Sequence, residues 1–159
     1  MKKICSINNK IITVNYQVNN EYFIEELLEV GLSLQGWEVK SLRLGKIDIS
    51  NSYIYLQENN AYLFNSYFQP VNSPQTFELS LANRNRNILL KKREYNYLYG
   101  KIKRKGYTLV AYSLYWKNNW CKLQIALGKG KKIYDKRYSI KQREWQIKKN
   151  RLIKQQQIF

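Results

Sequence analysis

Histidine is absent from the 159 residues, so the commonest general base and the commonest transition-metal ligand are both missing. Cysteine is scarce. Cys5 and Cys121 stand far apart without a partner motif, which excludes a cysteine metal constellation, and a cytosolic chain would keep both reduced. Long apolar runs are missing too: Met1-Lys2-Lys3 leads into no sustained hydrophobic stretch, so no signal peptide or membrane-spanning helix is expected and the chain reads as cytoplasmic. Acids are few, 11 against 28 Lys and Arg. Their only dense group, Glu25, Glu26 and Glu29, has no nucleophile or metal partner beside it and reads as the polar face of a helix. No enzyme, cofactor or metal site is expected.

What remains is strongly cationic. The formal net charge is +17, a field that repels basic partners and draws in polyanions, either nucleic acid or an acidic membrane surface. The aromatic residues, with 14 Tyr, 5 Phe and 4 Trp, favour the first, because bases and riboses stack on rings whereas a peripheral membrane binder needs an apolar helical face. At 44% hydrophobic, the chain can build one packed domain with a tail.

Residues 11–18 are β-branched and part-alternating, predicting a strand. Asn19-Asn20 marks a turn, and YFIEELLEV (22–30) carries Phe23, Leu27 and Val30 at helical spacing, with Gly31 as the stop. Residues 32–43 read as a long strand bent at Gly36, ended by Leu44-Gly45, with a short helical turn over 47–52. Tyr53 to Leu56 and Ala61 to Phe64 form a hairpin about Asn59-Asn60. Residues 69–87, with both prolines, read as a surface loop that carries Arg84 and Arg86 near its end. Residues 88–106 give the strongest helix, stopped by Gly106, and strands 107–116 and 120–127 flank a turn at Lys117-Asn118-Asn119.

From Lys129 the composition changes: residues 129–159 hold 11 Lys and Arg and 2 acids, a net +9, with apolar residues too scattered for a core. Ser139 and Gln142 make a capping box, predicting a helix from about Ile140. Five or six antiparallel strands, an intervening helix and a bend glycine point to a mainly β fold, a small OB-like barrel. Residues 1–128 would form this RNA-binding barrel, and 129–159 a basic tail that is disordered when free and helical on its target.

Four stretches in this order, YFIEE (22–26), GWEVKSLRLGK (36–46), LYWKNNWCK (114–122) and GKGKKIYDKR (128–137), resemble the small protein B, or SsrA-binding protein, family. IKQREWQIKKNRLIK (140–154) is similar to the family's C-terminal tail, and the resemblance spans about residues 11–154. It implies an OB-like barrel with about three helices that holds the tRNA-like domain of transfer-messenger RNA (tmRNA) near its D-loop elbow. The complex then enters the empty A site of a stalled ribosome, where the protein takes the place of the missing anticodon stem. The implied partners are tmRNA, small-subunit rRNA at the decoding centre and message channel, and elongation factor Tu with alanyl-tmRNA. By motif position, Glu29, Leu89 and Lys122 match positions tied to tmRNA binding, and Lys129, Lys131 and Lys132 match the family's basic segment. Tyr134 takes the place of a residue that stacks on a decoding-centre base, and Asp135, Lys136 and Arg137 match the tail signature. Trp145, Leu152 and Ile153 match tail positions that help seat tmRNA for peptide transfer.

The residues also speak for themselves. Gly128 and Gly130 would let the backbone approach a phosphate that Lys129, Lys131 and Lys132 neutralise. Trp37, Trp116 and Trp120 read as core or barrel-surface packing aromatics, and Leu89 as partly structural. Glu29 could accept hydrogen bonds from base amino groups or ribose hydroxyls, or orient a neighbouring Lys or Arg. The rival reading is a generic OB-type RNA-binding or ribosomal protein without a role in rescue.

Overall fold

In the computed structural model, which describes residues 10–70 and 82–156, the chain opens with β1 (Lys10–Val14), α1 (Gln17–Glu21), β2 (Tyr22–Leu32) and α2 (Gly36–Arg43). It continues through β3 (Ile47–Asp48), β4 (Tyr53–Gln57), β5 (Asn60–Phe64), β6 (Tyr67–Phe68) and β7 (Arg86–Leu89). Then follow α3 (Lys92–Lys105), β8 (Thr108–Lys117), β9 (Trp120–Gly130) and α4 (Ile133–Gln156). Every pairing is antiparallel, and the order β8-β4-β5-β7-β2-β9 closes where β9 meets β8 again. The ring is uneven. β9 pairs along nearly its whole length with β2 and β8, whereas β4 touches β8 at one pair, Tyr53 with Val110. β1 takes the rest of that β8 edge, and β3 with β6 makes a small second sheet. This is the expected OB-like barrel.

The interior is filled by Val30, Leu63, Leu109, Leu114, Leu123 and Ile125 from the strands, Leu42 from α2 and Leu98 from α3. Two turns land where asparagine and glycine signalled them. Asn118 and Asn119 adopt positive φ between β8 and β9, and Gly106 ends α3 at φ 64. In the β4–β5 hairpin the positive φ values fall on Glu58 and Asn59, one residue earlier than expected.

Between residues 22 and 43 the expected order of helix and strand is reversed. Residues 22–30 lie in β2, because pairing with β9 from Tyr22 to Gly31 outweighs the local helix preference of Glu and Leu. Phe23, Leu27 and Val30 do not share a face: Phe23 and Leu27 point outward and Val30 inward. The acids expected on a helix face are strand residues with partners. Lys101 reaches Glu25 at 2.6 Å and the Tyr97 hydroxyl donates to Glu26 at 2.9 Å, tying β2 to α3.

Residues 36–43, expected as a strand, form α2. Gln35 and Glu38 make its capping box, with the Gln35 N–H donating to Glu38 Oε2 at 2.6 Å, so Gly36 begins a helix and bends no strand. β1 stops at Val14, where the N–H of Asn15 turns to the Tyr112 carbonyl and α1 follows. Residues 47–52 hold β3 and a turn rather than a helical turn.

Of the expected loop 69–87, residues 71–81 lie outside the described residues, and its last two belong to β7. Arg86 is no surface residue. It is fully buried, pairs with Glu38 at 2.7 Å, donates to Ser66 and Ala82 carbonyls, and lies 3.8 Å over the Phe68 ring. Arg84 closes the same cluster against Glu38 at 2.5 Å.

Candidate nucleic-acid interface

Strand register brings three of the expected RNA-binding residues onto one outer face. Leu89 of β7 lies opposite Gly31 of β2, Gly31 opposite Lys122 of β9, and Lys122 opposite Tyr115 of β8, one row across four strands. Glu29 is the next outward residue along β2. Gly31 matters by what it lacks: a Cβ there would sit 3.3 Å from Leu89 Cδ1, so the Leu89 side chain lies across the glycine while staying 63% exposed. Leu89 is therefore a surface residue, not a buried one.

Glu29 accepts the Tyr115 hydroxyl at 2.7 Å and the Lys117 ammonium at 2.9 Å. Partial burial works against its ionisation, and those two donors outweigh it, holding the carboxylate below its ordinary pKa. Burial and the adjacent Glu29 carboxylate push the Tyr115 phenol well up, so it remains a donor. The arrangement is that of an anion orienting a cation and a hydroxyl at the rim of a surface. Tyr115 and Lys117 escaped sequence reasoning because they meet Glu29 only through the β8–β9–β2 ladder. Trp120, expected to pack, is 73% exposed and faces the same side two residues from Lys122. Trp37 and Trp116 do pack against the core.

The basic segment sits at the other end of β9. Lys129 lies seven positions along β9 from Lys122, a span of about 23 Å, so the expected RNA-binding residues form two groups. β9 runs through Gly130, and the composition break at Gly128-Lys129 falls inside a strand. Lys131 is engaged with the barrel: its N–H donates to the Glu21 carbonyl and its ammonium to the Asn19 carbonyl, both at 2.8 Å, 4.9 Å from the Phe23 ring. Lys129 and Lys132 are exposed. Gly128 offers no phosphate an approach, since a Cβ there would stand 3.0 Å from the Phe23 carbonyl oxygen and 3.2 Å from Tyr22 Cβ. It is a packing glycine; Gly130 is open.

The cationic arm is one long helix that starts seven residues before the expected Ile140. Ser139 lies inside it and donates to the Lys136 carbonyl at 2.9 Å instead of capping. Tyr134 is 78% exposed, Trp145 and Leu152 61% each, and Ile153 43%. Tyr134, Tyr138, Trp145 and Leu152 fall within about 40° of one another around the helix axis. Lys149 lies 5.3 Å from the Trp145 ring on the same stripe. Asp135 and Lys136 are half-buried and Arg137 exposed at the helix start. Arg143 meets the barrel through the Asn20 side-chain oxygen on α1.

A closed antiparallel barrel with a hydrogen-bonded polar face, exposed rings and a cationic arm defines an OB-like RNA-binding protein. The chain belongs to the SmpB protein family, whose model it matches over residues 12–155. Among solved structures it is similar to a chain described under the words "tmRNA-SmpB: a journey to the center of the bacterial ribosome", at 35% identity and a TM-score of 0.62, over 76% of this chain and 85% of that one. No helix among the described residues is long and apolar enough to cross a membrane.

Proposed function

We propose that the barrel binds the tRNA-like domain of tmRNA through the outer face of β7, β2, β9 and β8, and that the arm engages the stalled ribosome. The observation that carries this is the meeting of Glu29, Leu89 and Lys122 on one face, beside Lys117 and Trp120, in a chain of the SmpB family. Leu89 and Trp120 offer apolar contact to a ribose or unstacked base, and Lys122 and Lys117 neutralise phosphates while Glu29 fixes Lys117. Lys129 and Lys132 supply a second cationic group at the start of the arm. There Tyr134 stacks at the decoding centre, with Asp135, Lys136 and Arg137 setting the helix start beside it. Trp145, Leu152 and Ile153 meet the walls of an empty message channel, which an intact message would exclude.

Gel-shift competition tests the barrel half of this reading. The tRNA-like domain should outcompete bulk tRNA, and Lys122→Ala should weaken the domain's binding about thirtyfold, the low end of the range for a desolvated charge contact. Equal competition by both RNAs would contradict recognition of the tmRNA elbow.

A further inference from the structure

On the side of the ring away from β2 and β9, the outer surface of β4 and β5 is paved with rings. Tyr53 and Tyr55 point outward, 45% and 53% exposed, and across the ladder they face Phe64 and Tyr62. Phe64 is the hub, parallel to Tyr53 with centroids 5.7 Å apart and edge-on to Tyr55 and Tyr62 at 6.0 and 6.5 Å. Helix α3 widens the surface with Tyr99, which stacks on Tyr95 at 6.0 Å and carries the Lys103 ammonium 5.0 Å from its ring. A hydrogen bond with the Tyr99 phenol raises the Lys103 pKa, and Tyr55 adds a weaker electrostatic effect in the same direction.

Cross-strand ring pairs stabilise a hairpin by about 0.2–1 kcal/mol each, and that role would be served by rings packed away from water. Tyr53, Tyr55 and Tyr99 instead keep 40% or more of their surface open. The acids of these elements lie at the other end of the strip. Glu94 opens α3, nine residues or about 14 Å from Lys103, and its carboxylate accepts the Lys91 N–H. Glu58 sits at the hairpin turn beside Asn59, whose N–H reaches the Tyr95 hydroxyl. The surface thus offers stacking faces with a cation beside them, the chemistry that takes bases and phosphates together.

We propose that the β4–β5 face and the last turn of α3 bind an unpaired stretch of RNA outside the tRNA-like domain, with bases on Tyr53, Tyr55 and Tyr99 and a phosphate at Lys103. Binding by stacking tolerates sequence, because every base has a π-face. The proposal extends the RNA-binding reading above, giving the barrel a folded RNA on one side and a single strand on the other.

The test titrates a short fluorescein-labelled oligouridylate into the full chain already saturated with the tRNA-like domain of tmRNA, read by anisotropy. The oligonucleotide should bind the saturated protein. Tyr55→Ser should weaken that binding roughly tenfold, the scale of one lost base stack, and Tyr55→Phe should preserve it. Lys103→Gln should reduce the salt slope by about one. None of these changes should alter affinity for the tRNA-like domain, which Lys122→Ala weakens, so failure of either RNA contact shows in its own arm. Tyr53→Ser provides a second ring deletion if Tyr55→Ser melts early. Displacement of the oligonucleotide by the tRNA-like domain, or equal binding by the Ser and Phe variants, would overturn the proposal. So would a complete lack of oligonucleotide binding with the rings protected only by added ribosomal proteins, which would make this a protein-docking face.

Discussion

Glu38 is fully buried, with two guanidiniums on its carboxylate. Desolvation lowers the Arg86 pKa to about 10, with Glu38 opposing it, so Arg86 is still a cation at neutral pH. Removing the anion leaves a buried positive charge uncompensated; Glu38→Ala should lose about 3–5 kcal/mol in urea denaturation. Glu29 is a quieter case. Its folded pKa lies below the unfolded value, so its contribution to stability is present above the ordinary carboxylate range and is lost as pH falls through the folded pKa. Tyr115→Phe removes one donor, and carbon-13 NMR titration should show the Glu29 carboxyl titrating higher than in the unaltered protein. An unchanged titration would mean that Lys117 alone holds it. Cys121 is a bystander, its thiol pushed up to about 12 by burial and therefore protonated at neutral pH.

At the scale of elements, sequence reasoning succeeded where local chemistry decides and failed where a distant partner does. The β8–β9 hairpin, the end of α3 at Gly106 and the β4–β5 pair were legible from alternation and turn residues. β2 was not, because Glu-Glu-Leu-Leu-Glu prefers a helix and only the β9 ladder makes it a strand. α2 was hidden by Gly36, although Gln35 and Glu38 carried a capping signal that was readable. The candidate site was legible residue by residue through the family resemblance, but its grouping was not, since Leu89, Gly31, Lys122 and Tyr115 come from four strands. Gly128→Ala tests the ladder: its Cβ meets backbone, so the variant should lose about 1–3 kcal/mol by overpacking and melt earlier in calorimetry. In α4 nearly every side chain is exposed, leaving little apolar burial to order it. The free protein should therefore show low backbone order beyond about Lys132 by NMR and gain it on the ribosome; strong amide protection over 140–153 in isolation would contradict that.

Across the whole molecule, the +17 charge is divided between a barrel with satisfied polar clusters and residues 129–159, whose +9 is spread over the end of β9 and an exposed helix. The barrel's binding should carry a log–log salt slope of roughly −4 if about five phosphates are neutralised. The arm combines cations with the stripe of Tyr134, Tyr138, Trp145 and Leu152, suited to a narrow channel walled by RNA. The function proposed above separates two jobs, tmRNA held by the barrel and the stalled ribosome recognised by the arm. Its most direct test is truncation after Arg137, with tmRNA affinity and peptide tagging on a message lacking a stop codon measured on the same preparation. Affinity should stay nearly unchanged and tagging should be abolished. Lost affinity, with tagging in proportion to the complex that remains, would contradict it.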